Sequence, residues 1–186
     1  MSTVFPTHSR WIAILALLAG AIWIVISAAP PGTTTGGNIP APRAGFIAPD
    51  FTLSTPAGEP ITLSELRGRP VILNLWASWC GPCRAEMPAL QRVHEAYQDA
   101  GLVLLAVNAT TQDSESAALA FAAEYGLTFP ILFDLDGQAS QLYELRALPS
   151  TYFIRPDGII EEVVLGGPMA EALLRTRVEK LFEGQE

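Results

Sequence analysis

The chain has 186 residues, 49% of them hydrophobic, with 11 basic and 19 acidic side chains and a formal charge of −8. That length suits one domain of ordinary size plus an appendage, able to bury a core without disulfide staples. The acid excess lies wholly from Asp50 onward, where nine basic residues stand against nineteen acidic ones, about −10, while Arg10 and Arg43 are the only charges before it. An acidic domain is no nucleic-acid binder, because phosphate recognition needs clustered Lys and Arg; its acidity reads as solubility. Two cysteines exclude a stapled secreted scaffold, and with only His8 and His94 beside them they cannot complete a structural zinc site.

Residues 1–10 are expected to be a short cytoplasmic N-terminus. Trp11 to Ala29 is an uncharged run of nineteen residues, close to the ~20 that cross a ~30 Å hydrocarbon core as a helix. Arg10 precedes it and no Lys or Arg follows until Arg43, so the positive-inside rule exports everything after the run. A cleaved signal peptide is the rival, with Ser27-Ala28-Ala29 as its small residues. The run exceeds a signal core and Pro30-Pro31 follows at once, which favours an uncleaved anchor. No cysteine lies just after the run to carry a lipid. Residues 30–44 are rich in Pro, Gly and Thr and read as a linker. Either reading places the domain, 45–186, in an oxidising compartment.

Within that domain, Phe51-Thr52-Leu53 and Ile61-Thr62-Leu63 flank a turn at Pro56–Glu59 and predict a hairpin. Ser64–Gly68 reads as a helical turn. The apolar run Val71–Trp76 predicts a strand buried on both faces. A helix over 81–98 follows, with a break in pitch expected at Pro88. Leu102–Asn108 predicts a second buried strand. Ser114–Tyr125 predicts a helix stopped by Gly126, and Ile131–Phe133 a short strand. A helix near 138–145 comes next. Thr151–Ile154 and Ile159–Leu165, joined by Arg155-Pro156-Asp157-Gly158, predict a hairpin. Pro168 is expected to open the last helix. The alternation implies an α/β fold with a mixed sheet.

Cys80-Gly81-Pro82-Cys83 sits where the first buried strand meets its helix. The unpaired N–H groups and dipole of a helix N-terminus stabilise a thiolate at Cys80 and activate it. Cys83, one turn on, can close a disulfide with it. The expected cycle is attack by Cys80 on a substrate disulfide, then release of the reduced substrate by Cys83. Gly81 and Pro82 shape the turn. Trp76 and Trp79 flank the pair, as packing or as part of the site. An inert disulfide is the bland alternative, though one closing so short a loop stabilises little. Glu86 lies three residues after Cys83, on the same helix face. If partly buried, its raised pKa fits it to take the Cys83 proton; otherwise it is a solvated helix residue.

The segment Asn74-Leu75-Trp76-Ala77-Ser78-Trp79-Cys80-Gly81-Pro82-Cys83 resembles the thioredoxin active site. Ala48-Pro49-Asp50-Phe51-Thr52-Leu53, the Leu63…Leu66-Arg67-Gly68 stretch and Arg84-Ala85-Glu86-Met87-Pro88 are similar to the membrane-anchored TlpA/ResA group. The resemblance runs from about Gly45 to the C-terminus. It implies a thioredoxin fold with an N-terminal β-hairpin and a helix–strand insertion at Ser114–Phe133, behind one transmembrane helix. It also implies a protein-disulfide reductase outside the cytoplasm, serving exported proteins such as apocytochrome c. Leu148-Pro149-Ser150-Thr151 is similar to the family's cis-proline loop, which implies that Pro149 packs beside the cysteines and that the Leu148 backbone pairs with an extended substrate. A glutamate at the Glu86 position, with this proton role, is a feature of the group. Thioredoxin's buried aspartate is replaced by Asn74, which cannot relay protons.

These readings make Cys80, Cys83, Glu86 and Pro149 the catalytic candidates, and Trp79, Gly81, Pro82 and Leu148 the substrate-binding ones. No cofactor is called for. The partners are protein disulfides, a membrane thiol protein that donates electrons, and the membrane through the N-terminal helix. An oxidase or isomerase runs on the same residues, and Gly81-Pro82 leans toward reduction. A peroxidase-like redoxin would place Pro-x-x-x-Thr-x-x before its cysteine, and Leu75–Trp79 does not. A copper carrier would want Cys-x-x-x-Cys and a later histidine, and none follows His94. A binding module using the fold as scaffold would survive loss of both cysteines.

Overall fold

The computed structural model describes residues 16–18 and 39–183. Among them no helix is long and apolar enough to cross a membrane. The expected anchor, 11–29, falls outside the described residues except for Ala16–Leu18, which are helical, as do the N-terminus and most of the linker.

Seven strands form one sheet: β1 (Thr52–Ser54), β2 (Pro60–Thr62), β3 (Val71–Trp76), β4 (Val103–Asn108), β5 (Ile131–Phe133), β6 (Ser150–Ile154) and β7 (Ile160–Leu165). Their order is β2-β1-β5-β4-β3-β6-β7. β3, β4 and β5 run parallel; on one side β6 lies antiparallel to β3, and β7 antiparallel to β6. The β1–β2 hairpin closes the other side, antiparallel to β5. Within residues 39–183 the α-helices are α1 (Gly81–Tyr97), α2 (Glu115–Glu124), α3 (Gln138–Leu142) and α4 (Glu171–Glu183). This is the thioredoxin-like arrangement with a mixed sheet, the added N-terminal hairpin and an inserted α2–β5 unit.

The continuous apolar runs follow from burial on both faces of the central strands. Ile72, Trp76, Leu104, Ala106 and Phe153 pack toward α1, α2 and α4, where Met87, Leu90, Phe121 and Leu174 meet them. Their neighbours Leu73, Leu75, Leu105, Val107 and Tyr152 pack the other way, with Phe51, Ala139 and Tyr143. Trp76 is fully buried and its ring lies 4.8 Å from that of Phe121, so the insertion is tied to the central strand.

Three expectations are corrected. Pro88 lies inside α1 but does not divide it. A proline removes one N–H, here the one that would reach the Arg84 carbonyl; the fully buried Met87 and Leu90 on either side hold the helix to the sheet. The last helix begins at Glu171, not Pro168, and the Gly167–Pro168 bond is cis. The helix after β5 ends at Leu142, and Glu144 takes a φ of 46° that no helix accommodates.

Before β1 the chain runs beside the far end of β7. Gly45 N–H donates to the Ile160 carbonyl at 2.8 Å, Ile160 N–H to Phe46 at 2.9 Å, and Ala48 N–H to Gly158 at 2.9 Å.

Candidate active site

Cys80 is the N-cap of α1, with extended backbone, and its Sγ accepts the Cys83 N–H at 3.2 Å. Gly81 and Pro82 form the first turn, where a missing proline N–H leaves no carbonyl unpaired. Cys80 and Cys83 are joined as a disulfide, with Cα atoms 5.2 Å apart. Cys83 is buried at 1% exposure and Cys80 at 4%, while Gly81 and Pro82 are exposed. A cleft of about 320 Å³ opens at Cys80, lined among others by Trp79, Pro82, Gln112, Arg146 and Leu148. A partner thiol or disulfide can therefore reach Cys80 from the cleft, whereas Cys83 faces the interior.

Pro149 is buried at the start of β6, and the Leu148–Pro149 bond is cis. Its carbonyl accepts the Gly166 N–H at 2.8 Å. Leu148 is half-buried on the cleft wall. Trp79 is 59% exposed, yet its indole N–H donates to the Gln112 carbonyl at 2.8 Å.

Glu86 is 1% exposed, on the α1 face that also carries Cys83. Burial pushes its carboxyl up to about 7; the Met169 N–H and the Thr151 hydroxyl oppose that shift without offsetting it. Neither carboxylate oxygen has a hydrogen bond of normal geometry. A carboxyl that titrates near neutrality inside the protein can exchange a proton with a neighbouring thiol. Asn74 is also buried, and its amide donates to Thr151 Oγ1 at 2.9 Å. The sequence candidates Cys80, Cys83, Glu86 and Pro149 are thus brought together, with Trp79, Gly81, Pro82 and Leu148 at the cleft.

Two residues escaped the sequence reading. Asp113, at the start of the insertion, accepts the Ser78 N–H at 2.6 Å, the Ser78 hydroxyl at 2.7 Å, the Asn108 amide at 2.8 Å and the Ser114 N–H at 2.9 Å. Burial pushes this carboxyl up, but these donors outweigh it and hold it below the usual carboxylate range. It clamps the loop that delivers Cys80. Its only sequence signal is an Asp-Ser pair before a helix, which reads as a cap. The second is Gly167, which lies against both Glu86 and Pro149. Arg84 adds a further tie from α1 to α2, pairing with Glu124 at 2.9 Å and lying 5.0 Å from the Phe121 ring centre.

The AhpC/TSA family profile matches residues 44–163. The thiol-disulfide oxidoreductase ResA of Oceanobacillus iheyensis is 42% identical over 128 residues, 67% of this chain and 66% of that one. ResA of Bacillus subtilis is 34% identical over 141 residues, 76% of this chain and 77% of that one. Among solved structures, a secreted disulfide oxidoreductase of Mycobacterium tuberculosis superposes with a TM-score of 0.63 at 30% identity, covering 70% of this chain and 95% of that one. All three are thiol–disulfide enzymes by name, which agrees with a cysteine pair opening on a cleft. The chain belongs to the thioredoxin-like AhpC/TSA family, as one of its thiol-disulfide oxidoreductases.

Proposed function

We propose that this enzyme reduces disulfides in exported proteins, outside the cytoplasm, with apocytochrome c a candidate client. The observation that carries the chemistry is the division of the pair, with Cys80 open to the cleft and Cys83 buried on the Glu86 face. In the dithiol form, the helix N-terminus stabilises the Cys80 thiolate. That thiolate attacks one sulfur of the client disulfide, and the other leaves as a thiolate that takes a proton from solvent. Glu86 then accepts the Cys83 proton, and the Cys83 thiolate attacks Cys80 Sγ. The Cys80–client bond breaks, the client leaves reduced, and the enzyme's disulfide closes. Two electrons pass from the enzyme to the client. A membrane thiol protein restores the dithiol.

The Leu148 backbone is proposed to pair with an extended client segment along the cleft, with Pro149 packed beside the cysteines and Trp79, Gly81 and Pro82 contacting the client. The proton step serves both directions, so direction rests on the reduction potential; Gly81-Pro82 and the resemblance to the TlpA/ResA group favour reduction. The location rests on the uncharged run 11–29 behind Arg10.

Equilibration of the full chain, in detergent, with defined thiol buffers tests the direction. A potential near thioredoxin's ~−270 mV supports a reductase, and one near the ~−120 mV of DsbA makes it an oxidant. Labelling intact reduced cells with a membrane-impermeant thiol reagent tests the location: protection of the cysteines until lysis would place the domain inside.

A further inference from the structure

Gly167 is exposed, in the loop between β7 and α4, but its missing side chain points inward. A Cβ built there would stand 2.7 Å from Glu86 Oε2 and 2.8 Å from Pro149 Cγ, well inside the ~3.5–4.0 Å at which carbon atoms pack. The following residues keep the same place closed: Met169 is buried and its N–H faces the Glu86 carboxylate. On the other side Gly166 N–H is bonded to the Pro149 carbonyl. The loop is thus drawn down onto the cis-proline loop, and Glu86 is shut between them with neither oxygen hydrogen-bonded.

We propose that Gly167 is a positioning residue for Glu86: by having no side chain it lets the 166–169 loop close over the carboxylate and keep water from it. This rests on the reading of Glu86 as the acceptor of the Cys83 proton. The ring of Pro149 is stiff, whereas the Glu86 carboxylate ends a flexible side chain, so a methyl group at position 167 displaces Glu86 first. The displaced carboxylate reaches water and loses the burial that dominates its titration. No charged side chain contributes to that shift; the other influences are the Met169 N–H and the Thr151 hydroxyl. Gly167 therefore takes no part in the transfer itself, but sets how strong a base Glu86 is.

The test follows the Cys83 step alone. The reduced full chain is loaded at Cys80 with a nitrobenzoate disulfide reagent, and release of the coloured thiolate by Cys83 is timed against pH. In the parent enzyme the rate should rise with an inflection near that of Glu86. Glu86→Gln should lose the inflection, and Gly167→Ala should move it down by about one pH unit or more. The double variant should match Glu86→Gln alone, because Gly167 acts only through the carboxylate. If Glu86→Gln keeps the parent profile, the reading of Glu86 falls and this inference with it. If Glu86→Gln loses the inflection but Gly167→Ala keeps it, the Gly167 assignment alone is overturned. Thermal unfolding covers poor folding of Gly167→Ala. A smaller penalty for Gly167→Ala in a Glu86→Ala background supports the contact; an equal penalty, or failure of both to fold, overturns it.

Discussion

Asn74 and Thr151 are register partners on β3 and β6, and the Asn74 amide donates to the Thr151 hydroxyl at 2.9 Å. Thr151 in turn faces Glu86, so a neutral amide stands one residue removed from the buried carboxyl. Asn74→Asp would set a second acid in that space. Two buried carboxyls disfavour each other's ionised form. The variant should match the parent at pH 5 and be less stable by about 3 kcal/mol at pH 8, measured by urea unfolding of the disulfide form.

Glu86 makes the parent itself sensitive to pH. Its folded pKa, about 7, lies above an unfolded value of ~4.3. Stability is therefore full below the unfolded value and falls as pH rises through the folded one. Glu86→Gln removes the titration. It should leave stability near unchanged at pH 5 and raise it by about 1–3 kcal/mol at pH 8, while slowing client release. A variant curve parallel to the parent's from pH 5 to 8 would show that Glu86 is solvated.

Asp113 works with the opposite sign. Its folded pKa is depressed by the Ser78, Asn108 and Ser114 donors, so its contribution is present above the unfolded value and is lost as pH falls through the folded one. Asp113→Ala leaves those donors without their acceptor. It should cost about 2–3 kcal/mol at pH 7 and free the Ser78–Trp79 loop, read as a change in Trp79 emission. Unchanged emission and stability would mean the loop holds itself.

Trp79 is exposed at the cleft but pinned by its bond to Gln112. A fixed aromatic of this kind anchors a partner at small entropic cost. Trp79→Ala should raise KM for a protein disulfide about tenfold with kcat near the parent's. Equal rates on a small disulfide reagent serve as the control.

Cys83→Ser should stall the cycle after the first attack. The client then accumulates as a mixed disulfide on Cys80, visible on non-reducing gels, with turnover reduced at least about 100-fold. Accumulation on position 83 in Cys80→Ser at a similar rate would reverse the assigned roles.

The parts of the fold legible in the sequence are those governed by local pattern. Val71–Trp76 and its partner strand read as doubly buried because every position is apolar but Asn74 and Asn108. Cys80 read as a helix cap because a strand ends and Pro82 follows. The misses depend on distant contacts. Asp113 meets Ser78 from 35 positions away, and Gly167 meets Glu86 from a loop after β7. Neither has a local signature beyond a cap or a turn. Pro168 looked like a helix start because proline suits that place, but here it belongs to the loop that covers Glu86.

The strap at residues 45–48 grips the turn between β6 and β7, near Gly158 and Ile160. Pro149 and the cysteines lie at the other end of β6, roughly 15 Å away along the strand. A pull applied through residue 39 is thus taken up at the blunt end of the sheet, by the hairpin, and leaves α1 and the cleft unloaded. Residue 39 is therefore a place where the domain can be gripped without disturbing its reactive end.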